Sequence, residues 1–449
     1  MTARPRLRIA IVGSGIAGLS AAWLLSKQHD ITIYEKAARL GGHSHTIDVP
    51  VAGGLVGIDT GFIVYNPAAY PNLEALFGHL GVATQPSEMS FGVSLDGGRL
   101  EYSGGTLAGL VAQPANLVRP RFWSMVRDVV RFYREAPDHL AELERSGRTL
   151  GEFLKDRRFG AALAEDHLLP MSAAIWSAPE IAMRDYPAAE FVRFFMNHGL
   201  LQIRSRPIWR TVTGGSRTYV NRLATSMPAT IRLNRGVLAV ERNTGGVDLV
   251  SMGGDRETFD HVVIATHADQ AMKLLAKPSL EERTTLRAFR YSSNLCVTHR
   301  DPALMPRRRA AWSSWNVTRG RSDTGGQVCV TYWMNRLQAL DIPEDIFVTL
   351  NPRPAPRDTD ILHTQAYEHP LFDAHALAAQ KQLWSLQGRN NTWFCGAYFG
   401  AGFHEDGLQA ALAVAESLAG VSRPWTVAGQ SNRIHISGNW SPAPEVHAA

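Results

Sequence analysis

The stretch Ile9-Ala10-Ile11-Val12-Gly13-Ser14-Gly15-Ile16-Ala17-Gly18, followed by Glu35 and then Arg39-Leu40-Gly41-Gly42, decides how this chain folds. An apolar strand runs into a glycine-rich turn and then a helix, the arrangement that grips the ADP half of a dinucleotide. Gly13 permits the tight turn, Gly15 lets the backbone approach a pyrophosphate, and Gly18 lets helix and strand pack closely. The helix N-terminus at Ile16 and Ala17 offers unpaired N–H groups and a partial positive charge to phosphate. A second strand, Ile31-Thr32-Ile33-Tyr34, ends at Glu35, placed for the adenosine ribose hydroxyls, with Lys36 beside it. On this reading Glu35 makes ribose contacts alone, so its loss weakens the dinucleotide and leaves the apoprotein folded.

The residues after Glu35 separate flavin from nicotinamide. Arg39 supplies a fixed charge for pyrophosphate, and the paired Gly41 and Gly42 let the chain run close to the cofactor, with His43 next to them. An NAD dehydrogenase has no need of this second glycine element, and the stretch from Glu35 to His43 resembles the signature that continues the Rossmann unit in flavoproteins of the amine oxidase and phytoene desaturase superfamily. FAD, held without covalent linkage, is the expected cofactor.

Working outward, 449 residues suffice for two domains with substantial cores. An apolar content of 45% and a charged content of 19% are ordinary for a globular enzyme. The net charge of +5 is carried almost wholly by arginine, since there are six lysines, and no nucleic-acid-binding motif accompanies it. The cysteines Cys296, Cys329 and Cys395 are far apart, which suggests neither a disulfide framework nor a metal site and fits a reducing cytoplasm. Arg4, Arg6 and Arg8 before an apolar stretch imitate a signal peptide, but cleavage there would destroy the dinucleotide fingerprint. Nowhere else is there an uncharged apolar run of about 18 residues, so no spanning helix is expected.

Along the chain, Val56-Gly57-Ile58-Asp59-Thr60-Gly61-Phe62 has the strand-then-glycine look of a segment passing the flavin, through Thr60, Gly61 and Phe62. Residues 106–200 read as helical, and 121–134 carries apolar and basic residues at helical spacing. That helix admits docking on a membrane surface or packing on the substrate domain. Val237 marks an apolar segment returning to the cofactor, and His261-Val262-Val263-Ile264-Ala265-Thr266 is a buried-strand pattern. Residues 280–380 alternate as strands. Trp393-Phe394-Cys395-Gly396-Ala397 is a strand entering a glycine loop, and the run His404-Glu405-Asp406-Gly407-Leu408 opens an alanine-rich helix whose N-terminus is expected at the flavin.

The expected fold is therefore α/β. A Rossmann-type FAD-binding domain is assembled from discontinuous segments, 1–75, 205–275 and 385–421. An α+β substrate domain with a mixed sheet and a helical subregion comes from 76–204 and 276–384. The tail, 422–449, is expected to drape on the surface.

This order resembles the amine oxidase and phytoene desaturase superfamily over nearly the whole chain. It is similar in particular to a bacterial subfamily of NAD/FAD-binding proteins that resembles flavin-dependent desaturases of unsaturated or methyl-branched fatty acyl chains. The stretches that carry this likeness are Gly41-Gly42-His43, Trp312 to Asn316, Tyr332 to Gln338, Leu350-Asn351-Pro352, Glu368-His369-Pro370 and Gly402 to Gly407. The resemblance implies phosphate or ribityl contacts at Gly396 and Ala397, and flavin proximity for His43, Glu405, Asp406, Gly407 and Leu408. Many amine oxidases of the superfamily hold a lysine near flavin N5 on a substrate-domain strand. Here Lys27, Lys36, Lys155, Lys273, Lys277 and Lys381 all fall outside the segments 291–299 and 326–334 expected to border the flavin.

Candidate catalytic groups are His43, His299 and Glu405, each with a plainer alternative. His43 and His45 would share one side of an extended stretch, without a third ligand for a metal. His299 is more simply a satisfied core histidine, and Glu405 a helix cap. Arg307-Arg308-Arg309 is a solvated face or a contact for lipid phosphate. No G-x-S-x-G elbow, P-loop or H-E-x-x-H is present. The chemistry is thus expected to belong to FAD. Three readings are open: an oxidase or desaturase of an apolar acyl lipid that passes electrons to molecular oxygen or another acceptor, an amine oxidase acting on a C–N bond, and a non-catalytic flavoprotein.

Overall fold

The structure, a computed structural model, describes residues 6–203, 206–320 and 329–437. Arg4, the start of the expected 326–334 strand and the end of the tail lie outside them.

Five parallel strands form the first sheet, in the order Ala229–Arg232, Asp30–Tyr34, Arg8–Val12, His261–Ile264 and Thr392–Phe394. Arg8–Val12 lies at the centre, which is why Ile9, Ala10 and Ile11 are all apolar rather than alternating. The helix Ile16–Leu25 is buried on every side, between this sheet and the helix His404–Ala419. Its sequence, apolar all round, is what such a position requires.

A second, seven-stranded sheet runs in the order Ile361–Leu371, Arg290–His299, Phe347–Leu350, Cys329–Trp333, Trp315–Thr318, Phe91–Leu95 and Leu100–Ser103. It is mixed, because Trp315–Thr318 pairs parallel with Phe91–Leu95 and antiparallel with Cys329–Trp333. The long strands Arg290–His299 and Ile361–Leu371 pair along their whole length and carry side chains toward the cofactor sheet. Between Leu107 and Asn197 the chain is helical.

The helix Pro120–Glu135 buries Phe122, Met125, Phe132 and Tyr133. Phe122 and Met125 pack on Val93, Leu95 and Tyr102 of the second sheet, so the body of this helix is seated on the substrate domain. Of the arginine run, Arg308 meets the fully buried Glu101 at 2.8 Å, and Arg309 lies over the Trp312 ring and pairs with Asp345.

The tail does more than lie on the surface. Half of residues 422–437 are exposed, yet side chains among them are anchored in the fold. Arg423 is buried and paired with Glu416, Trp425 stacks on Trp23, and Arg433 reaches Asp406 at 2.7 Å. Sequence composition missed this because isolated anchors among Pro, Gly and Ser carry no period.

Candidate cofactor and active site

The glycine turn is shaped for close approach. Gly13 adopts φ +98°, and a Cβ there would lie 2.8 Å from the Ala265 carbonyl oxygen. A Cβ on Gly18 would come within 1.9 Å of the Gly13 oxygen, so helix and turn touch through it. Gly15 differs: it has ordinary β geometry, and a Cβ would meet no protein atom within 4 Å. Open space therefore lies over the N-terminus formed by Ile16 and Ala17, where a phosphate fits. The second glycine element closes against the first, with Gly41 N–H donating to the Ser14 oxygen at 2.9 Å and Gly42 facing Gly15.

Glu35 sits at the end of its strand, with Lys36 and Val237 adjoining. Arg235 N–H donates to the Glu35 carbonyl, and Gly236, just before Val237, lies against the Lys36 side chain. The Glu35 carboxylate accepts from Ser14 N–H at 3.0 Å, Ser14 Oγ at 2.6 Å and Ala37 N–H at 2.8 Å. The expectation that Glu35 makes ribose contacts alone is thereby corrected, since it also ties the turn to the strand that ends beside it. Replacing Glu35 with alanine is expected to cost the apoprotein about 1.5–3 kcal/mol as well as weakening FAD. Thermal melts of the apo variant, read beside FAD titration, check both halves.

Two further elements converge. A Cβ on Gly407 would contact Ile16, Ala397 N and Ala17, and Leu408 is fully buried, so the start of His404–Ala419 and the Gly396–Ala397 turn abut the phosphate helix. Thr60–Phe62 runs beside the residues after Gly42, with Thr60 N–H to His45 O and Phe62 N–H to His43 O, both 2.9 Å. Gly61 lies so near the His43 carbonyl that a Cβ would overlap it.

The inner wall is rich in histidine. The His43 ring lies 5.1 Å from Tyr367, 5.5 Å from His369 and 5.9 Å from His267. Its Nε2 is sealed from solvent and has no hydrogen-bond partner among the described residues. His369 Nδ1 pairs with the Asn294 side chain at 2.9 Å, and His267 stacks on Tyr291. Tyr367 OH bridges Thr60 Oγ1 at 2.6 Å and His45 Nδ1 at 3.0 Å. His404 stacks on Phe62 at 3.7 Å and contacts Ser44 and Tyr219 through Nε2.

His43, His369 and His404 lie deep in the molecule yet keep partial exposure. Burial holds them neutral. It lowers His43 well below the usual imidazole range, with the His369, His267 and His404 charges adding to it. His369 falls to about 4 and His404 to about 3 for the same reason. Arg39 is half-buried nearby.

Two sequence candidates fall elsewhere. His299 is fully buried at the far end of its strand, with Nε2 on Thr349 Oγ1 at 2.7 Å and Nδ1 accepting from Asp301 N–H. The structure does not bring it to His43. Glu405 is buried with its oxygens taken by Asn72 N and Nδ2, Leu73 N and Gln409 Nε2, so it fastens the helix Pro71–Leu80 to the cofactor helix. Asp406 accepts from Phe403 N–H and pairs with Arg433. Conversely, the sequence assigned no role to Tyr367, His369, His267 or Tyr291. Only the motif Glu368-His369-Pro370 pointed there.

The fold and the open phosphate cradle define a Rossmann-type flavoprotein in which discontinuous segments build one cofactor domain. The chain belongs to the family described as flavin containing amine oxidoreductase, which matches residues 16–337. FAD is accordingly its cofactor. A Mycobacterium tuberculosis protein provisionally named flavin-containing monoamine oxidase AofH is 27% identical over 260 residues, covering 56% of this chain and 54% of that one. The chain thus spans about half the length of the curated relatives it matches. Among solved structures, putrescine oxidase bound to putrescine is similar, with TM-score 0.67, 16% identity, and coverage of 93% of this chain and 100% of that one. A CLA-producing fatty acid isomerase from P. acnes is also similar, with TM-score 0.64, 16% identity, and coverage of 90% and 97%. At these identities the solved structures report the fold alone. No described helix is long and apolar enough to cross a membrane.

The three cysteines are buried. Burial pushes the Cys395 thiol far up and the Cys296 thiol up to about 12, so neither supplies a thiolate for a thioether. Acid precipitation is expected to release all the yellow colour to the supernatant; colour left in the pellet contradicts a non-covalent flavin.

Proposed function

We propose that this chain is an FAD-dependent oxidoreductase that removes hydride from an apolar, unsaturated or methyl-branched fatty acyl substrate, as a desaturase or oxidase. The observation that carries the reading is the neutral wall of the cleft. His43 and His369 are held uncharged by burial, and an ammonium entering beside them loses hydration, while the carboxylate that meets His267, that of Glu368, stays half exposed to water. None of the six lysines lies in the strands Arg290–His299, Cys329–Trp333 or Ile361–Leu371. Tyr332, Trp315 and Cys296 add apolar surface on those strands and the neighbouring Trp315–Thr318.

Bound FAD supplies the acceptor for the hydride and its two electrons. The chain's part is placement. Gly15, Ile16 and Ala17 present the phosphate cradle, Glu35 and Val237 border the adenosine end, and Arg39 offers charge beside it. The N-terminus of His404–Ala419 directs its positive end at the same cleft. His43 Nε2, sealed and without a partner among the described residues, is the group free to hydrogen-bond cofactor or substrate there. Tyr367, fixed between Thr60 and His45, braces the ring beside it.

The likeness to a named monoamine oxidase favours a second reading, oxidation of a C–N bond. Anaerobic mixing of the yellow holoprotein with unsaturated acyl lipids and with primary amines or polyamines separates the two. Bleaching by the lipids is expected. Faster bleaching by amines replaces the acyl reading with the amine one, and bleaching by neither points to a non-catalytic flavoprotein.

A further inference from the structure

The surface that leads into the helix Pro120–Glu135 is apolar on its outside. Leu107 is 85% and Val118 82% exposed, and Leu117 and Trp123 stand 51% and 45% exposed. The segment is fastened, not frayed. Asn116 Nδ2 donates to Glu101 O and Glu101 N–H donates to Gln113 Oε1, both at 2.9 Å, which ties it to the strand Leu100–Ser103. The Trp123 indole N–H donates to Leu117 O at 2.9 Å, while Leu110 and Phe122 from the same segment pack inward. A held segment that turns aliphatic side chains outward marks an interaction surface.

Charge says what covers it. From Tyr102 to Arg127 the chain has three arginines and no aspartate or glutamate. The exposed Arg307 lies with its side chain against Gly98, in the turn before the strand Leu100–Ser103 that holds the segment, and its N–H donates to Glu101 Oε1 at 2.7 Å. Glu101 is buried and met by Arg308, and Asp128 is buried and met by Arg127, while Arg121 pairs with Glu165 and Asp166. Arg119, which donates to the uncharged oxygens of Arg99, Gln113 and Asn116, and the exposed Arg307 carry the remaining positive charge. An apolar ledge edged by guanidinium groups, with a Trp at its margin, complements headgroup phosphates above acyl chains.

We propose that Leu107, Leu117, Val118 and Trp123, with Arg307 at the rim, dock the protein on the surface of an anionic phospholipid bilayer. This rests on the ledge alone and stands whichever substrate the cleft takes.

The test is sedimentation of the full-length holoprotein with vesicles of phosphatidylcholine and phosphatidylglycerol at 3:1, and with phosphatidylcholine alone. Binding to the anionic vesicles is expected, weakening on pure phosphatidylcholine and at high salt. The double variant Leu107→Glu/Val118→Glu should bind at least about tenfold more weakly, because it removes apolar insertion and adds repulsion. Arg307→Gln should bind about fivefold more weakly. Both should keep FAD content and melting temperature, since these side chains point outward, and Leu280→Glu, equally exposed on the helix Leu280–Arg287, should bind as wild type does. Three outcomes overturn the proposal: no sedimentation with anionic vesicles, equal sedimentation of the double variant, or a wild-type dimer that the double variant converts to monomer.

Discussion

A chain carrying Gly15→Val is expected to fold and to retain no FAD. The N-cap position has φ −66° and ψ −179°, which valine adopts readily, and a Cβ there meets no protein atom within 4 Å. The fold therefore tolerates the side chain. The space it enters is the one over the first turn of Ile16–Leu25, where the pyrophosphate must approach the backbone. Filling it should weaken binding by about 4 kcal/mol or more, roughly a thousandfold. Gly18→Ala provides the contrast, since its Cβ would overlap the Gly13 carbonyl and the turn itself must break. Circular dichroism and the ratio of flavin to protein absorbance check this together. A folded Gly15→Val protein with full FAD content would refute the cradle.

Mild acid is expected to destabilise the fold through its buried histidines. His167, His198 and His299 are 7%, 1% and 0% exposed, with pKa values lowered by burial to about 4, 3 and 4. Each has a structural reason to resist a proton. His167 is buried between the uncharged hydroxyls of Tyr102 and Tyr133, and the Arg206 charge adds to the cost of a proton there. His198 Nδ1 bonds the Phe194 carbonyl, and its Nε2 is buried without a partner among the described residues. Protonating His299 at Nδ1 would displace the Asp301 N–H it accepts.

Below the unfolded value of about 6.5, the unfolded chain takes up protons that the folded rings refuse, so stability falls as pH falls. Each ring contributes about 2 kcal/mol of loss at pH 5. Asp59 works the other way, because burial raises it to about 6, and its folded form gains about 1 kcal/mol over the same range. From these four groups alone the net loss of about 5 kcal/mol should lower the melting temperature between pH 7.5 and 5 by on the order of 5 °C for a chain of this length. His167→Gln, which can still bond both tyrosines, should lose less. A melting temperature flat across this range speaks against neutral buried histidines.

Much of the cofactor half was legible because it rests on local rules. The turn at Gly13, Gly15 and Gly18, the strand ending at Glu35 and the Gly41–Gly42 element each encode backbone geometry within a few residues. The apolar helix at 16–25 and the buried strand at 261–264 reflect unbroken hydrophobic runs. The candidate active site was less legible. His43 stood out by its place after Gly42, whereas Tyr367, His369 and His267 did not, since nothing near them in sequence marks them as neighbours of residue 43.

Glycine spacing and strand periodicity act through adjacent residues, so the linear chain was enough to establish that a dinucleotide-binding unit opens it and that flavin, not nicotinamide, suits its second glycine element. Which side chains meet was settled by folding in three dimensions. Pairing of Arg290–His299 with Ile361–Leu371 brings Asn294, Tyr367 and His369 to His43, and leaves His299 at the distant end of the same strand. Packing of Pro71–Leu80 and the tail against His404–Ala419 makes Glu405 and Asp406 structural partners of Asn72 and Arg433. Such contacts depend on strand register and helix docking over hundreds of residues of separation, where no local pattern reaches.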